Sequence, residues 1–83
     1  MRLVYFAWLR ERLGRAEEEL PLPASVKTVG ELRLWLAARE AARGSAFGEP
    51  GVIRAAVNQE IAGPETRLSD GDEVAFFPPM TGG

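Results

Sequence analysis

The tetrapeptide Thr28-Val29-Gly30-Glu31 constrains this chain more than any other local feature. It is a capping box. The Thr28 hydroxyl can accept from the backbone of Glu31, and the Glu31 carboxylate can reach back to the amide of Thr28. Val29, Leu32 and Leu36 then recur at helical spacing, with Trp35, Ala38 and Ala42 widening the apolar stripe. Arg39 and Arg43 suit the negative end of the helix dipole, and Gly44 can end the helix. One principal helix over 28–43 is predicted, with Trp35 in the core.

The remaining elements read as short strands. Residues 2–8 are β-rich and apolar on both faces, as a central strand would be. Leu9 and Leu13 stand one helical turn apart before Gly14, which predicts a short helical turn with a glycine cap. Glu17 to Leu22 reads as a second strand, and Pro21 assigns it to a sheet edge. Gly44 to Gly51 reads as a loop. Ile53 to Val57 and Glu60 to Ala62 are strands about an Asn58-Gln59 turn. Ser69-Asp70-Gly71-Asp72 is a tight turn in which Gly71 is free to take positive φ. Glu73 opens a last strand, Val74 to Phe77, again apolar on both faces.

The order β, β, α, β, short β, β specifies an α+β domain, a sheet with one principal helix on one face. That helix can cover only one side of the sheet. The two-sided strands therefore leave an apolar patch containing Phe76 or Phe77, and the expectation is that it docks on a partner. The alternative is that the turn at 9–13 or the loop at 44–51 covers it.

Composition narrows the chemistry. Eighty-three residues make one small domain, and 46% apolar content is enough for its core. There is no Cys and no His, which removes disulfides, thiolate metal sites and the usual base near neutral pH. Asp70 and Asp72 read as solvated turn carboxylates, and no metal site is expected. The net charge of −2, with both signs interspersed, argues against nucleic acid or anionic membrane. No run approaches the roughly 18 apolar residues of a membrane helix. The short N-terminal run lacks a cleavage site, so a cytoplasmic protein is expected.

The C-terminal tail carries the remaining signal. Val74 to Gly83 holds no charged side chain, so the terminal carboxylate is the charge of that run. Pro78 and Pro79 fix φ and hold their neighbours extended. Gly82 and Gly83 carry no Cβ. Six residues from Pro78 can span at most about 20 Å. A thin, uncharged arm ending in a carboxylate suits entry into a tunnel of another protein. The domain is thus read as residues 1–77 and the tail as 78–83.

Four blocks carry a family resemblance. They are Tyr5-Phe6-Ala7 with Leu9-Arg10-Glu11 and Leu13-Gly14; Thr28 to Leu32 with Trp35-Leu36; Ala56 to Glu60; and Leu68 with Asp70 to Pro79 and Gly82-Gly83. Together they resemble the β-grasp, ubiquitin-like sulfur carriers, and more narrowly the small subunits of molybdopterin synthases. Met80 and Thr81 stand where that family often has valine and a small polar residue. The resemblance implies a β-grasp fold with a mixed sheet of four to five strands. It implies that an adenylating enzyme related to ubiquitin-activating enzymes uses ATP and Mg²⁺ to activate Gly83, which then becomes a thiocarboxylate. It further implies insertion of the tail into a large synthase subunit, as a heterotetramer, and sulfur donation to a cyclic pterin in molybdenum cofactor synthesis.

The residues agree on separate grounds. No P-loop signature binds ATP in this chain, and without Cys no side chain can carry sulfur. No cofactor is expected to be bound by the chain itself. Gly83 is expected to be the covalent carrier and Gly82 the steric requirement beside it. Phe76, Phe77, Pro78, Pro79, Met80 and Thr81 are expected to contact partners, with one of the two phenylalanines in the core. Two rivals share the tail: a sulfur carrier for thiamin or another thiolation pathway, and a ubiquitin-like modifier of lysines. A non-covalent interaction module and a free-standing enzyme fit less well.

Overall fold

The computed structural model describes residues 1–40, 47 and 53–78. Five strands, β1 (Arg2–Tyr5), β2 (Glu17–Glu19), β3 (Arg54–Val57), β4 (Glu60–Ala62) and β5 (Glu73–Phe77), form one sheet in the order β2-β1-β5-β3-β4. β1 and β5 run parallel at its centre, and every other pairing is antiparallel. Two helices, α1 (Ala7–Leu13) and α2 (Val29–Arg39), complete the described fold. This is the mixed, five-stranded β-grasp arrangement, with β2 at an edge as Pro21 required.

The capping box at the start of α2 forms as the sequence dictates. The Glu31 amide donates to Thr28 Oγ1 at 3.2 Å, and the Glu31 carboxylate accepts from the amides of Thr28 and Lys27 at 3.1 and 2.8 Å. The helix buries Val29, Leu32 and Leu36. Trp35 is half-buried against the core, with the Arg39 guanidinium 5.4 Å from its ring centre. Ala38 is exposed and does not widen the stripe. The described helix ends at Arg39 with Glu40 as its cap, short of the predicted residue 43. Residues 41–46 and 48–52, with Ala42, Arg43, Gly44 and most of the predicted loop, lie outside the described residues.

The predicted strand over 2–8 is corrected. β1 stops at Tyr5, and α1 begins at Ala7 with φ of 56°. A non-glycine residue there costs about 1 kcal/mol or more, so the reversal is imposed by packing rather than by local preference. An unbroken apolar run cannot reveal where such a turn falls. The glycine cap of α1 is as expected: Gly14 has φ of 75°, and its amide donates to the Arg10 carbonyl. Gly71 differs from expectation, because its φ is not in the left-handed region. Asn58 and Gln59 take φ of 50° and 71°, the pair of left-handed residues a two-residue hairpin needs.

The core lies between the sheet and the helices. Leu3, Tyr5, Val74 and Phe76 of the two central strands meet Leu9, Leu13, Leu32 and Leu36. Phe47 closes it, with its ring 5.1 Å from that of Phe76 and 6.3 Å from that of Tyr5. No helix among the described residues is long and apolar enough to cross a membrane.

Candidate functional site

Alternation along β5 separates the two phenylalanines. Phe76 has no exposed surface and stacks on Tyr5, with ring centres 6.3 Å apart. Its predicted role in partner contact is thereby corrected: every other residue of a strand points to the same face, and Phe76 shares the core face with Leu3, Tyr5 and Val74. Phe77 points to the opposite face and is half-buried.

Among the described residues, no helix covers the opposite face. Leu9 and Leu13 of α1, Val29, Leu32 and Leu36 of α2, and Phe47 enter the core on the other side, so neither α1 nor the described part of the 44–51 segment covers it. The strand register assembles a row across the sheet from Val4, Ala75, Ala56 and Ile61. A second row joins Phe6 to Phe77, which pairs with Arg54. The Phe6 amide donates to the Phe76 carbonyl at 3.1 Å, which carries the ladder on to this row. Ile61 is 70% exposed and Phe6 47%. The next row toward the start of β5 is charged: Arg2 bridges Glu17 at 3.0 Å and Glu73 at 3.9 Å. The patch is thus apolar on the side where the chain leaves β5 toward its C-terminus and charged on the other.

Arg54 stands at the patch border and makes no ion pair among the described residues. Phe6, Ile61 and Arg54 were not singled out from sequence. The alternation in 54–57 and 60–62 was the available signal, but the pairing that brings these strands beside β5 is non-local. Pro78 is half-buried at the exit of β5. Pro79, Met80, Thr81, Gly82 and Gly83 lie outside the described residues.

Asp70 and Asp72 organise their turn. The Asp72 carboxylate accepts from the Ser69 amide at 2.8 Å and from the Asn58 side chain at 3.0 Å, and Asp70 accepts from the Leu22 amide. No group of three metal-binding side chains occurs among the described residues.

Opposite the open face, Glu18 of β2 holds a polar cluster together. Its carboxylate accepts two hydrogen bonds from Arg39, at 2.7 and 3.0 Å, one from Arg15 at 3.0 Å and one from the Tyr5 hydroxyl at 2.5 Å. Burial would raise the Glu18 pKa, but the hydrogen bonds from Arg39 and Tyr5 outweigh it and hold the carboxyl below its ordinary range. Burial, reinforced by Glu18, pushes the Tyr5 hydroxyl well above its ordinary range. This cluster lies away from the tail exit and fastens the edge strand to α2.

Residues 3–83 match the ThiS family. The chain belongs to that family. The match runs through the final glycines, so the family pattern includes the tail. Across all 83 residues the chain is 42% identical to the molybdopterin synthase sulfur carrier subunit of Escherichia coli strain K12, covering 99% of that protein. It is 34% identical to the Haemophilus influenzae subunit of the same name, again over 100% of this chain and 99% of the relative. Among solved structures, the small archaeal modifier protein SAMP1 of Haloferax volcanii superposes with a TM-score of 0.75 at 31% identity, covering 100% of this chain and 98% of that one. ThiS-family membership agrees with the sulfur-carrier reading of the sequence, and the solved structure agrees with the ubiquitin-like β-grasp.

Proposed function

We propose that this chain is the sulfur carrier subunit of a molybdopterin synthase, a carrier rather than an enzyme in its own right. The observation that carries the reading is full-length similarity, at 42% identity, to a subunit of that name. An open apolar sheet face that leads to the Pro78–Gly83 arm supports it.

A carboxylate is a poor electrophile, so the Gly83 carboxyl has to be activated from outside. A partner of the ubiquitin-activating class would supply ATP and Mg²⁺. A Gly83 carboxylate oxygen attacks the α-phosphorus of ATP, and pyrophosphate leaves. A sulfur nucleophile then attacks the acyl carbon, AMP leaves, and a terminal thiocarboxylate remains. The thiocarboxylate sulfur forms a C–S bond to an electrophilic carbon of a cyclic pterin held by the large synthase subunit; water then cleaves the acyl C–S bond, so the sulfur stays on the pterin and the carrier returns to its carboxylate. Gly82 lets the enzyme backbone close around the reacting carbonyl, because no Cβ intervenes.

The large subunit is the partner assigned to the open face, with Phe77, Phe6, Val4 and Ile61 as its apolar contacts and Arg54 at the border. Pro78, Pro79, Met80 and Thr81 would line the insertion path. A heterotetramer of two large and two small subunits, in the cytoplasm, is the assembly this reading implies.

A second reading has one observation in its favour, the likeness to an archaeal modifier protein. In it the activated Gly83 acylates lysines of other proteins. Mass spectrometry of the C-terminus after incubation with adenylating enzyme, Mg·ATP and a sulfur donor separates the two. Replacement of one terminal oxygen by sulfur, with pterin sulfuration lost when Gly83 is deleted, is the expected result. Isopeptide adducts on target lysines without sulfur exchange would establish the modifier instead. Full pterin sulfuration by the chain lacking Gly83 would exclude both.

A further inference from the structure

An activated acyl terminus reacts with any accessible amine or thiolate, so a carrier that is repeatedly activated faces the nucleophiles of its own kind. This chain has almost none. It has no Cys and no His, and its ten cations are nine Arg and the single Lys27. Guanidinium groups stay protonated and do not attack acyl carbon. The amine at Met1 is engaged by the Leu20 carbonyl at 3.0 Å and lies 3.8 Å from the Asp70 carboxylate. The Tyr5 hydroxyl is buried and donates to Glu18.

Lys27 is exposed, and its side chain makes no ion pair among the described residues. Its backbone is fixed on both sides. The Lys27 amide donates to Glu31 Oε1 at 2.8 Å, its carbonyl accepts from the Leu68 amide at 2.9 Å, and the next residue pairs with Arg67. The amine therefore stands on a rigid mount in solvent. That mount adjoins Leu68, just before the turn that opens β5, whereas the C-terminal arm leaves from Phe77 at the other end of the strand. Four residue steps of strand separate the two ends by about 13 Å. Lys27 also precedes the helix that packs on the core face, so it is not part of the open apolar face.

We propose that Lys27 is the one self-acceptor of this chain, the amine at which a second copy with an activated Gly83 becomes attached. The inference rests on the activation of Gly83 proposed above. The Lys27 Nζ lone pair attacks the Gly83 acyl carbon of an adenylated copy. A C–N bond forms, the C–O bond to AMP breaks, AMP leaves, and the ammonium proton goes to water. The product is a branched dimer joined by an isopeptide bond. Because Lys27 lies off the open face, the acceptor copy keeps that face free for a partner. Thiolation competes with this step, so the dimer accumulates where the sulfur donor is short.

The test uses the full chain, an adenylating enzyme of the ubiquitin-activating class and Mg·ATP, with no sulfur donor. Hydroxylamine capture at Gly83 in a parallel sample scores activation separately. The expected product is a covalent dimer lighter than two chains by one water, with the branch mapped to Lys27. Lys27→Arg should form the hydroxamate at the wild-type rate and show at least a tenfold loss of dimer. Dimer persisting in Lys27→Arg, a branch at the Met1 amine, or hydroxamate without dimer in the wild type would overturn the proposal while leaving the carrier reading intact. Absence of hydroxamate from both proteins would remove the carrier reading and this inference with it.

Discussion

The Glu18 carboxylate on edge strand β2 accepts both terminal nitrogens of Arg39 on α2, at 2.7 and 3.0 Å. With the Tyr5 hydroxyl as a further donor, this pair joins the edge of the sheet to the helix. The folded-state pKa of Glu18 is lowered, so its contribution to stability is fully present above the unfolded carboxyl value near 4.3 and is lost as pH falls through the folded value. Glu18→Gln should cost about 2 kcal/mol near neutral pH and much less in acid. Urea unfolding of both proteins, followed from neutral pH down through the acid range, measures this. A gap that stays constant across that range would contradict the assignment.

Phe76 and Phe77 should respond oppositely to truncation. Phe76→Ala removes a fully buried ring between Tyr5 and Phe47 and should cost about 3–5 kcal/mol, shown by a large drop in thermal midpoint. Phe77→Ala should leave most of the stability in place and weaken the complex with the large synthase subunit at least tenfold. Titration calorimetry with that subunit reads the second effect, and Ile61→Asp should reproduce it.

Glycine substitutions follow local geometry. A Cβ at Gly71 meets nothing within 4 Å, and the backbone there is not left-handed. Gly71→Ala should be neutral or stabilise by up to about 1 kcal/mol through the unfolded chain. Gly14→Ala should destabilise by about 1 kcal/mol or more, because Gly14 holds φ of 75° as the cap of α1. Chemical denaturation of the two variants side by side checks the sign of each.

Ala7 presents the reverse case. Its φ of 56° is unfavourable for any residue with a Cβ. Ala7→Gly should stabilise the fold or leave it unchanged, although glycine at the first position of a helix ordinarily does not help. A clear loss in thermal midpoint would show that the Ala7 methyl contributes packing that outweighs the strain.

Thr28→Ala removes the acceptor for the Glu31 amide and should cost about 1 kcal/mol. Its effect on assembly with the large subunit should be negligible, since Thr28 begins the helix on the core side of the sheet. Equilibrium unfolding and the same calorimetric titration report the two quantities separately.

Some of this was written in local sequence. The capping box at Thr28 and Glu31, the glycine cap at Gly14, the Asn58-Gln59 hairpin and the edge position of β2 each depend on residues a few positions apart, whose hydrogen bonds and steric limits act within one turn. The chemistry proposed for the terminus is equally local, because it follows from two residues without Cβ and from the absence of Cys and His. Tertiary structure decided the rest. Strand pairing, with residues 2–5 parallel to 73–76, gathered Val4, Ala75, Ala56 and Ile61 into one row and set Phe76 beside Tyr5 and Phe77 on the opposite face. Apolar character on both faces of a strand does not say which face will be covered. That depends on where two helices distant in sequence find room to pack, and both helices here pack on the same side.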